Sequence, residues 1–352
     1  MPKRIAIPAG YWSTNIGNSF FQLGAEYVLR TAFPGHEIIL IGDQPGYWVP
    51  GTKGNPEQAF ILTDHLDIDY IAIQGPFLRP EYDRIWLPTL QKLYARGVKI
   101  ILLAAGMMDY SSEQVQRYRE WLSKTPPYIL ITRDAITYNA IYDLAEHSYN
   151  GIDIAFFVSD YYTPPKMLGE SFVTFNFDKW PEPTITRINN PEELSGNNYI
   201  IKFEGENWML SFPRLRTKLV QRSRQFQFLN TWLPERHHDS FGRFSIVRTD
   251  HRFNPLIVRN IFKKKNLIVM DIPHPYLAVY ANTKLTLSNR VHACVATLAY
   301  GNPAMLFSHS PRAALLDRAG LQEIGKQPVK IDMTYLEREK ERLIAFLRSV
   351  DI

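Results

Sequence analysis

The sequence predicts an α/β protein of two Rossmann-like domains whose parallel sheets face a cleft. Three observations predict it. Short, almost continuous apolar runs such as KRIAIPAG, EIILIG and VKIILLAAG alternate with segments that place apolar residues at helical spacing. Runs that are apolar on both faces belong to parallel strands covered by helices. This alternation occurs twice, and a stretch without it lies between. The length of 352 residues suits two domains, and 45% hydrophobic residues supply two cores.

The elements follow in order. KRIAIPAG reads as a buried strand. SFFQLGAEYVLRTAF is a helix, with Phe20, Phe21, Ala25, Val28 and Leu29 on one face. EIILIG and DYIAIQGP are strands, and YDRIWLPTLQKLYARG is a helix. VKIILLAAG is a strand. SSEQVQRYREWLSK is a helix opened by an N-cap serine and an early glutamate. YILITRD is a strand, ITYNAIYDLAEH a helix and IDIAFFVSD the last strand of the first domain. From about residue 161 to 243 the rhythm breaks into proline- and aromatic-rich pieces such as YYTPPK, KWPEPT and NTWLPERHHD. Within them SFVTFNFD and YIIKFEG still look like strands. This stretch is read as the junction, which divides the chain into 1–165 and 166–352. Alternation returns with the strand FSIVRTDH, helix PLIVRNIFKKK, strand NLIVMD, helix HPYLAVYAN and strand TKLTLSN. Then follow the helix RVHACVATLAYG, strand PAMLFSH and helix RAALLDRAGL. The closing segment TYLEREKERLIAFLRSV is amphipathic, with Leu336, Leu343, Ile344 and Leu347 in register.

Composition excludes several classes. Charged residues at 21% exclude a disordered chain. The net charge of +5 favours anionic ligands or surfaces, and no basic–aromatic motif of nucleic-acid binders is present. The lone Cys294 sits in an apolar run, so it forms no internal disulfide and reads as a buried, inert thiol. MPKRIAIPAG is a β-like run rather than a signal-peptide core, and no stretch of 18 apolar residues exists. The expectation is a soluble cytoplasmic protein. The basic stretch PRLRTKLVQRSR is either a solvated face or a peripheral contact with anionic lipid.

Open parallel sheets bind ligands at the carboxyl ends of their strands, so the strand-to-helix junctions carry the candidate residues. After the first strand, Asn15, Gly17 and Asn18 lie where unpaired backbone N–H groups of a helix start can meet an anion. The alternative there is a turn capped by Asn18 or Ser19. In LITRDAITYNAI, Arg133 and Asp134 follow a strand, and Asp134 could simply cap the helix with Arg133 paired to it. In LTLSNRVHACVATLAYGNPAMLF, Ser288 or Asn289 can cap a helix at whose mouth stand Arg290 and His292. A cation at the positive end of a helix is unfavourable unless an anion binds there. Arginine offers a planar fork for carboxylate or phosphate, and histidine changes protonation near neutral pH. His251 ends a second-domain strand, and His309 and Arg312 follow another. The adjacent histidines of HHD (237–239) rarely converge on one ion, so no metal site is expected.

SNRVHACVATLAYGNPAMLF resembles the signature of polysaccharide pyruvyl transferases, in which an Arg-Leu-His triplet opens a helix followed by small residues and Gly-x-Pro. STNIGNSFFQLGAEYVLR is similar to that family's Asn-x-Gly-Asp loop and first helix. GVKIILLAAGMM, ITRDAITYNAIYDL and GIDIAFFVSD resemble its later first-domain elements. Val291 stands for the usual leucine, Asn18 for the common aspartate, and Asn289 where many members carry Asp or Ser. The resemblance implies a glycosyltransferase-B-like arrangement and transfer of a pyruvyl group from phosphoenolpyruvate to sugar hydroxyls. It implies His292 as the acid–base residue and Arg290 as donor-binding. Asn289, Arg133, His309 and Arg312 are the expected donor-side helpers. Asn15, Gly17, Asn18 and His251 are expected to line the cleft, partly on the acceptor side. The implied partners are phosphoenolpyruvate and a glycan or lipid-linked oligosaccharide, with no cofactor, no metal and no nucleic acid. Two other functions fit the same architecture: a nucleotide-sugar-dependent glycosyltransferase and a non-catalytic glycan-binding relative.

Overall fold

A computed structural model of the chain describes residues 1–10, 12–43, 60–178, 180–189, 198–223, 226, 229, 237–252, 264–308 and 313–352. The expected α/β architecture is present. The first sheet contains β1 (Arg4–Ala9), β2 (Glu37–Gly42), β3 (Tyr70–Gln74), β4 (Lys99–Ala105), β5 (Ile129–Thr132) and β6 (His147–Asn150). Its order is β2-β1-β3-β4-β5-β6, and every pair is parallel. The order reverses between β1 and β3, which opens a crevice above the carboxyl end of β1.

The second large sheet is built on β7 (Phe172–Asn176). On one side lie β12 (Phe244–Thr249), the short edge β13 (Leu267–Ile268) and the antiparallel β11 (Ser240–Phe241). On the other lie β14 (Thr286–Ser288) and β15 (Ala304–Leu306), both parallel. Its crevice therefore opens beside the carboxyl end of β7. Between β7 and β11 the chain forms a small antiparallel sheet of β8 (Thr184–Ile188), β9 (Asn198–Phe203) and β10 (Glu206–Ser211). That sheet accounts for the lost alternation of the sequence in this region.

The described helices of seven or more residues are α1 (Gly17–Ala32), α2 (Leu87–Ala95), α3 (Ser112–Lys124), α4 (Ala135–Ile141), α5 (Arg214–Arg222), α6 (His274–Asn282), α7 (Val291–Ala299) and α8 (Met333–Arg348). The expected N-cap of α3 is Ser111, which accepts from Gln114 N. Helix α8 is capped by Asp332 and crosses back to the first sheet. There Arg348 Nη2 donates to the Thr31 carbonyl at 3.0 Å, and the Tyr128 hydroxyl donates to the Asp351 carbonyl.

Two readings change. The segment expected as a strand at IDIAFFVSD is a 3-10 turn, Ile154–Phe157, running into a helical turn, Val158–Tyr161. The Asp153 carboxylate caps it by accepting from Ala155 N at 2.8 Å. The real sixth strand is HSYN, half-buried at the sheet edge, where no apolar run announces it. The helix expected at PLIVRNIFKKK lies largely outside the described residues.

One apolar cluster runs through both halves. It joins Ile5, Phe20, Phe21, Val28, Ile154 and Phe156 to Tyr276, Tyr280, Ala293, Ala296, Leu336 and Leu347. Apolar burial of this kind, at about 25 cal/mol per Å², fixes the two sheets against each other rather than leaving a loose hinge. Gly24 makes the close approach possible, since a Cβ there would lie 2.0 Å from the Ile154 carbonyl oxygen. Among the described residues no helix is long and apolar enough to cross a membrane.

Candidate active site

The two crevices meet at the start of α1. The Ile16 N–H donates to the His251 carbonyl at 2.8 Å, tying the loop after β1 to the end of β12. A Cβ on Gly17 would lie 3.1 Å from His292 Cβ and 3.3 Å from His251 Nδ1. Thus Gly17, His251 and His292, far apart in the chain, share one point between the sheets. Asn15 and Asn18 stand beside it, half-buried and bonded to each other through Nδ2 and Oδ1 at 2.8 Å. Neither Asn18 nor Ser19 caps α1; its N-cap is Ile16, which makes no side-chain cap bond, and Asn18 N and Ser19 N donate to the Asn15 and Ile16 carbonyls at 3.0 and 2.9 Å.

Helix α7 likewise starts without a side-chain cap, and its N-cap residue is Arg290 itself. The Ser288 hydroxyl instead accepts from Arg290 N at 2.8 Å. The N–H groups of the first turn of such a helix carry partial positive charge and favour an anion. Sequence reasoning expected that anion to be a ligand held by the Arg290 fork. The structure supplies one from the chain. Asp178, fully buried after β7, lies 2.7 and 2.8 Å from Arg290 Nε and 2.5 Å from Nη2. The fork is therefore engaged internally, and Nη1 takes no part in that pair. Arg252 Nε is 3.9 Å from the same carboxylate. Burial pushes the Asp178 carboxyl up, but Arg290 and Arg252 outweigh it and hold it well below the ordinary range.

Asp250, at the end of the neighbouring β12, shows the opposite balance. Burial first, and the Asp178 charge second, push its carboxyl up to about 7. Behind these acids a polar belt links the ends of three strands. Asn176 Nδ2 donates to the Thr249 carbonyl at 2.9 Å, and Ser288 Oγ donates to Asn176 Oδ1 at 3.0 Å. The Tyr280 hydroxyl sits 3.0 Å from Thr249 Oγ1 and 2.6 Å from His251 Nε2. Asn289 is buried; with its amide nitrogen toward the Asn176 carbonyl (3.1 Å) and its oxygen toward Trp180 N (2.9 Å), it braces main chain rather than facing the crevice.

The first sheet contributes Arg133, which is 1% exposed. Asp134 caps α4 through Thr137 N at 2.7 Å, as the simpler sequence reading had it. Arg133, however, does not pair with Asp134. Its Nη1 donates to Asp153 Oδ2 at 2.9 Å, and Gly106 makes room, since a Cβ there would lie 2.6 Å from Arg133 Nε. Next to this glycine Ala104 holds φ at 49°, a left-handed conformation that costs an alanine on the order of 1 kcal/mol. His292 Nε2 lies 3.6 Å from Asp153 Oδ2, an electrostatic contact longer than a hydrogen bond. Burial raises the Asp153 carboxyl, but His292 and Arg133 hold it at about 2.

His309 and Arg312 lie outside the described residues. In HHD the three side chains turn to different partners. His237 Nδ1 is 3.3 Å from Glu182, His238 Nε2 accepts from Ile185 N, and Asp239 pairs with Lys265. Among the described residues no group of histidines, cysteines and carboxylates could hold a metal ion. Cys294 is buried, with burial raising its thiol far above its ordinary value. Sequence reasoning missed Asp153, Asp178, Asp250, Arg252 and Tyr280. Asp178 and Asp250 each end an apolar run, a signal that could have been read.

The overall fold of the chain also occurs in solved structures. An S. aureus MnaA structure with UDP covers 99% of this chain and 91% of its own, with a TM-score of 0.52 and 10% identity. A UDP-N-acetylglucosamine 2-epimerase structure covers the same shares, with a TM-score of 0.51 and 6% identity. At such identities the likeness defines the fold alone, a two-domain glycosyltransferase-B-like α/β architecture. No curated protein matches the chain by sequence. The family model of polysaccharide pyruvyl transferase matches residues 15–311, a span that includes the irregular middle stretch. The chain belongs to the polysaccharide pyruvyl transferase family and is a polysaccharide-modifying transferase by that membership.

Proposed function

We propose that the protein transfers a pyruvyl group from phosphoenolpyruvate to hydroxyls of a cell-surface glycan, an exopolysaccharide or its lipid-linked precursor. The observation that supports this reading is the meeting of His292 and His251 at Gly17, with Arg133 joined to His292 through Asp153, and with Arg290 and Arg252 sharing Asp178 at the start of the neighbouring helix. A small donor that carries both a carboxylate and a phosphate needs cations and N–H groups close together. His292 gives a proton to the donor's methylene carbon, which becomes a methyl group and leaves the neighbouring carbon electrophilic. One sugar hydroxyl adds there and returns its proton to the histidine. A second hydroxyl closes the ketal as inorganic phosphate departs with the other proton. Arg290 holds donor oxygens, with Arg133 in support, and Asn15, Asn18 and His251 face the acceptor. The chain acts as two domains, 1–165 and 166–352.

The test is a thermal-shift panel of phosphoenolpyruvate against nucleotide sugars, followed by phosphate release with a glycan acceptor. Phosphoenolpyruvate alone should raise Tm, and His292→Asn should keep that shift while lowering turnover roughly 10²–10⁴-fold. Stabilisation by a nucleotide sugar and not by phosphoenolpyruvate would overturn the proposal.

A peripheral membrane contact is part of the same reading. Helix α5 exposes Arg214, Lys218 and Arg222 around Leu215, which is 73% exposed. A basic surface with an apolar residue at its centre suits anionic lipid. The protein should sediment with phosphatidylglycerol vesicles, less so as salt rises, and not with phosphatidylcholine vesicles. Equal recovery with both lipids would remove the membrane contact.

A further inference from the structure

We propose that Asp153 is the positioning residue for His292, holding its Nε2 from across the domain boundary so that Nδ1 is the nitrogen that serves the reaction. This rests on the reading of His292 as the proton donor.

Asp153 follows β6 of the first sheet, whereas His292 opens α7 of the second. The carboxylate is fully buried and fixed on both oxygens. Oδ1 accepts from Ala155 N at 2.8 Å, and Oδ2 accepts from Arg133 Nη1 at 2.9 Å. The imidazole is confined on its other sides. Gly17 lies against its Cβ, and the Phe21 ring stands 5.3 Å away, centroid to centroid. Nε2 is buried and has no hydrogen-bond partner among the described residues. The 14% of the side chain that remains exposed therefore excludes Nε2. Among the described residues the Asp153 carboxylate is the charged partner of that nitrogen, at 3.6 Å, and a ring shift of a few tenths of an ångström would make it a hydrogen bond.

A carboxylate only accepts, so it favours a proton on Nε2 and leaves the Nδ1 lone pair for the crevice. The cycle then balances. The imidazolium gives its Nδ1 proton to the methylene carbon and becomes the Nε2–H tautomer that Asp153 favours. The attacking hydroxyl returns a proton to Nδ1. The charged and titratable groups around the ring are Asp153 and Arg133 from the first sheet, and Arg290, with Asp178 behind it, from the second. His251 lies beyond Gly17. Arg133 is paired with the same carboxylate and Arg290 with Asp178, so Asp153 is the group that distinguishes the two ring nitrogens.

Asp153→Asn tests the assignment. Asparagine keeps the shape but is neutral and has one acceptor oxygen where the aspartate has two, so Arg133 or Ala155 N loses its partner and the preference for a proton on Nε2 weakens. Turnover should fall roughly 10–100-fold, with KM for phosphoenolpyruvate within about threefold. Nitrogen NMR of the neutral His292 ring should show the proton on Nε2 in the parent and a larger Nδ1–H share in the variant. A parent ring protonated on Nδ1, or a variant with the parent's turnover and tautomer, overturns the proposal. Should the variant not fold, the parent spectrum decides alone. A parent without phosphoenolpyruvate turnover would defeat the pyruvyl reading, while the same spectrum still judges Asp153.

Discussion

Asp178 and Asp250 stand at the ends of adjacent strands and are shifted in opposite directions, because one has two arginines and the other has burial and a like charge. The sign of the consequence is fixed by linkage. Between about pH 4, where an unfolded aspartate ionises, and about 7, the folded chain keeps the Asp250 proton and the unfolded chain gives it up. Stability contributed by this group is therefore complete below pH 4 and is lost as pH rises through 7. Asp250→Asn mimics the protonated acid and keeps an oxygen for the Arg252 N–H, which now donates to Oδ1 at 2.9 Å. It should stabilise the protein at pH 8 by on the order of a few kcal/mol, seen as a higher Tm, and change little at pH 4. Equal Tm changes in scanning calorimetry at the two pH values would show that the acid is ionised throughout. At this scale the opening residues Arg290 and His292 were legible as a cation and a titratable ring at a helix start. Their partners were not. Asp178 is 112 residues from Arg290, and Asp153 is 139 residues from His292.

Helix α1 depends on a glycine for its place. Its spacing of Phe20, Phe21, Val28 and Leu29 predicted both the helix and its buried face, because apolar periodicity is local information. The depth of its packing was not local. Gly24 lets the helix settle on the turn Ile154–Phe157, whose carbonyl would otherwise meet a Cβ at 2.0 Å. Gly24→Ala should destabilise the protein at the upper end of about 1–3 kcal/mol, since the neighbour is backbone and cannot rotate away. The same shift moves the turn that begins at Asp153, so turnover should fall as well. A urea midpoint equal to that of the parent would mean that the helix and turn separate at little cost. This turn is also the element that sequence reasoning took for a strand. IDIAFFV is apolar on every side in either conformation, and the short side-chain cap from Asp153 to Ala155 N decides for the turn. The edge strand HSYN was missed for the converse reason: half-buried strands at an edge need no apolar run.

At the scale of the molecule, two crevices become one site because the sheets share an apolar core and are pinned by Ile16 N to the His251 carbonyl. The cations of the proposed site stand with their own carboxylates already beside them, so an anionic ligand there would join a filled network rather than enter an empty positive pocket. The sequence by itself determined the α/β alternation in both halves, most of the described helices and strands, and the junctions that carry His292, Arg290, Arg133 and Gly17. These are properties of periodicity and of residue type at strand ends. The tertiary structure alone decided that the Arg290 fork is held by Asp178, that Arg133 turns to Asp153 rather than Asp134, and that Asp153 reaches His292. Each of those contacts joins residues 20 to 139 positions apart, and the electrostatics of a buried ion pair depend on distance and desolvation, which a linear pattern of residues does not contain.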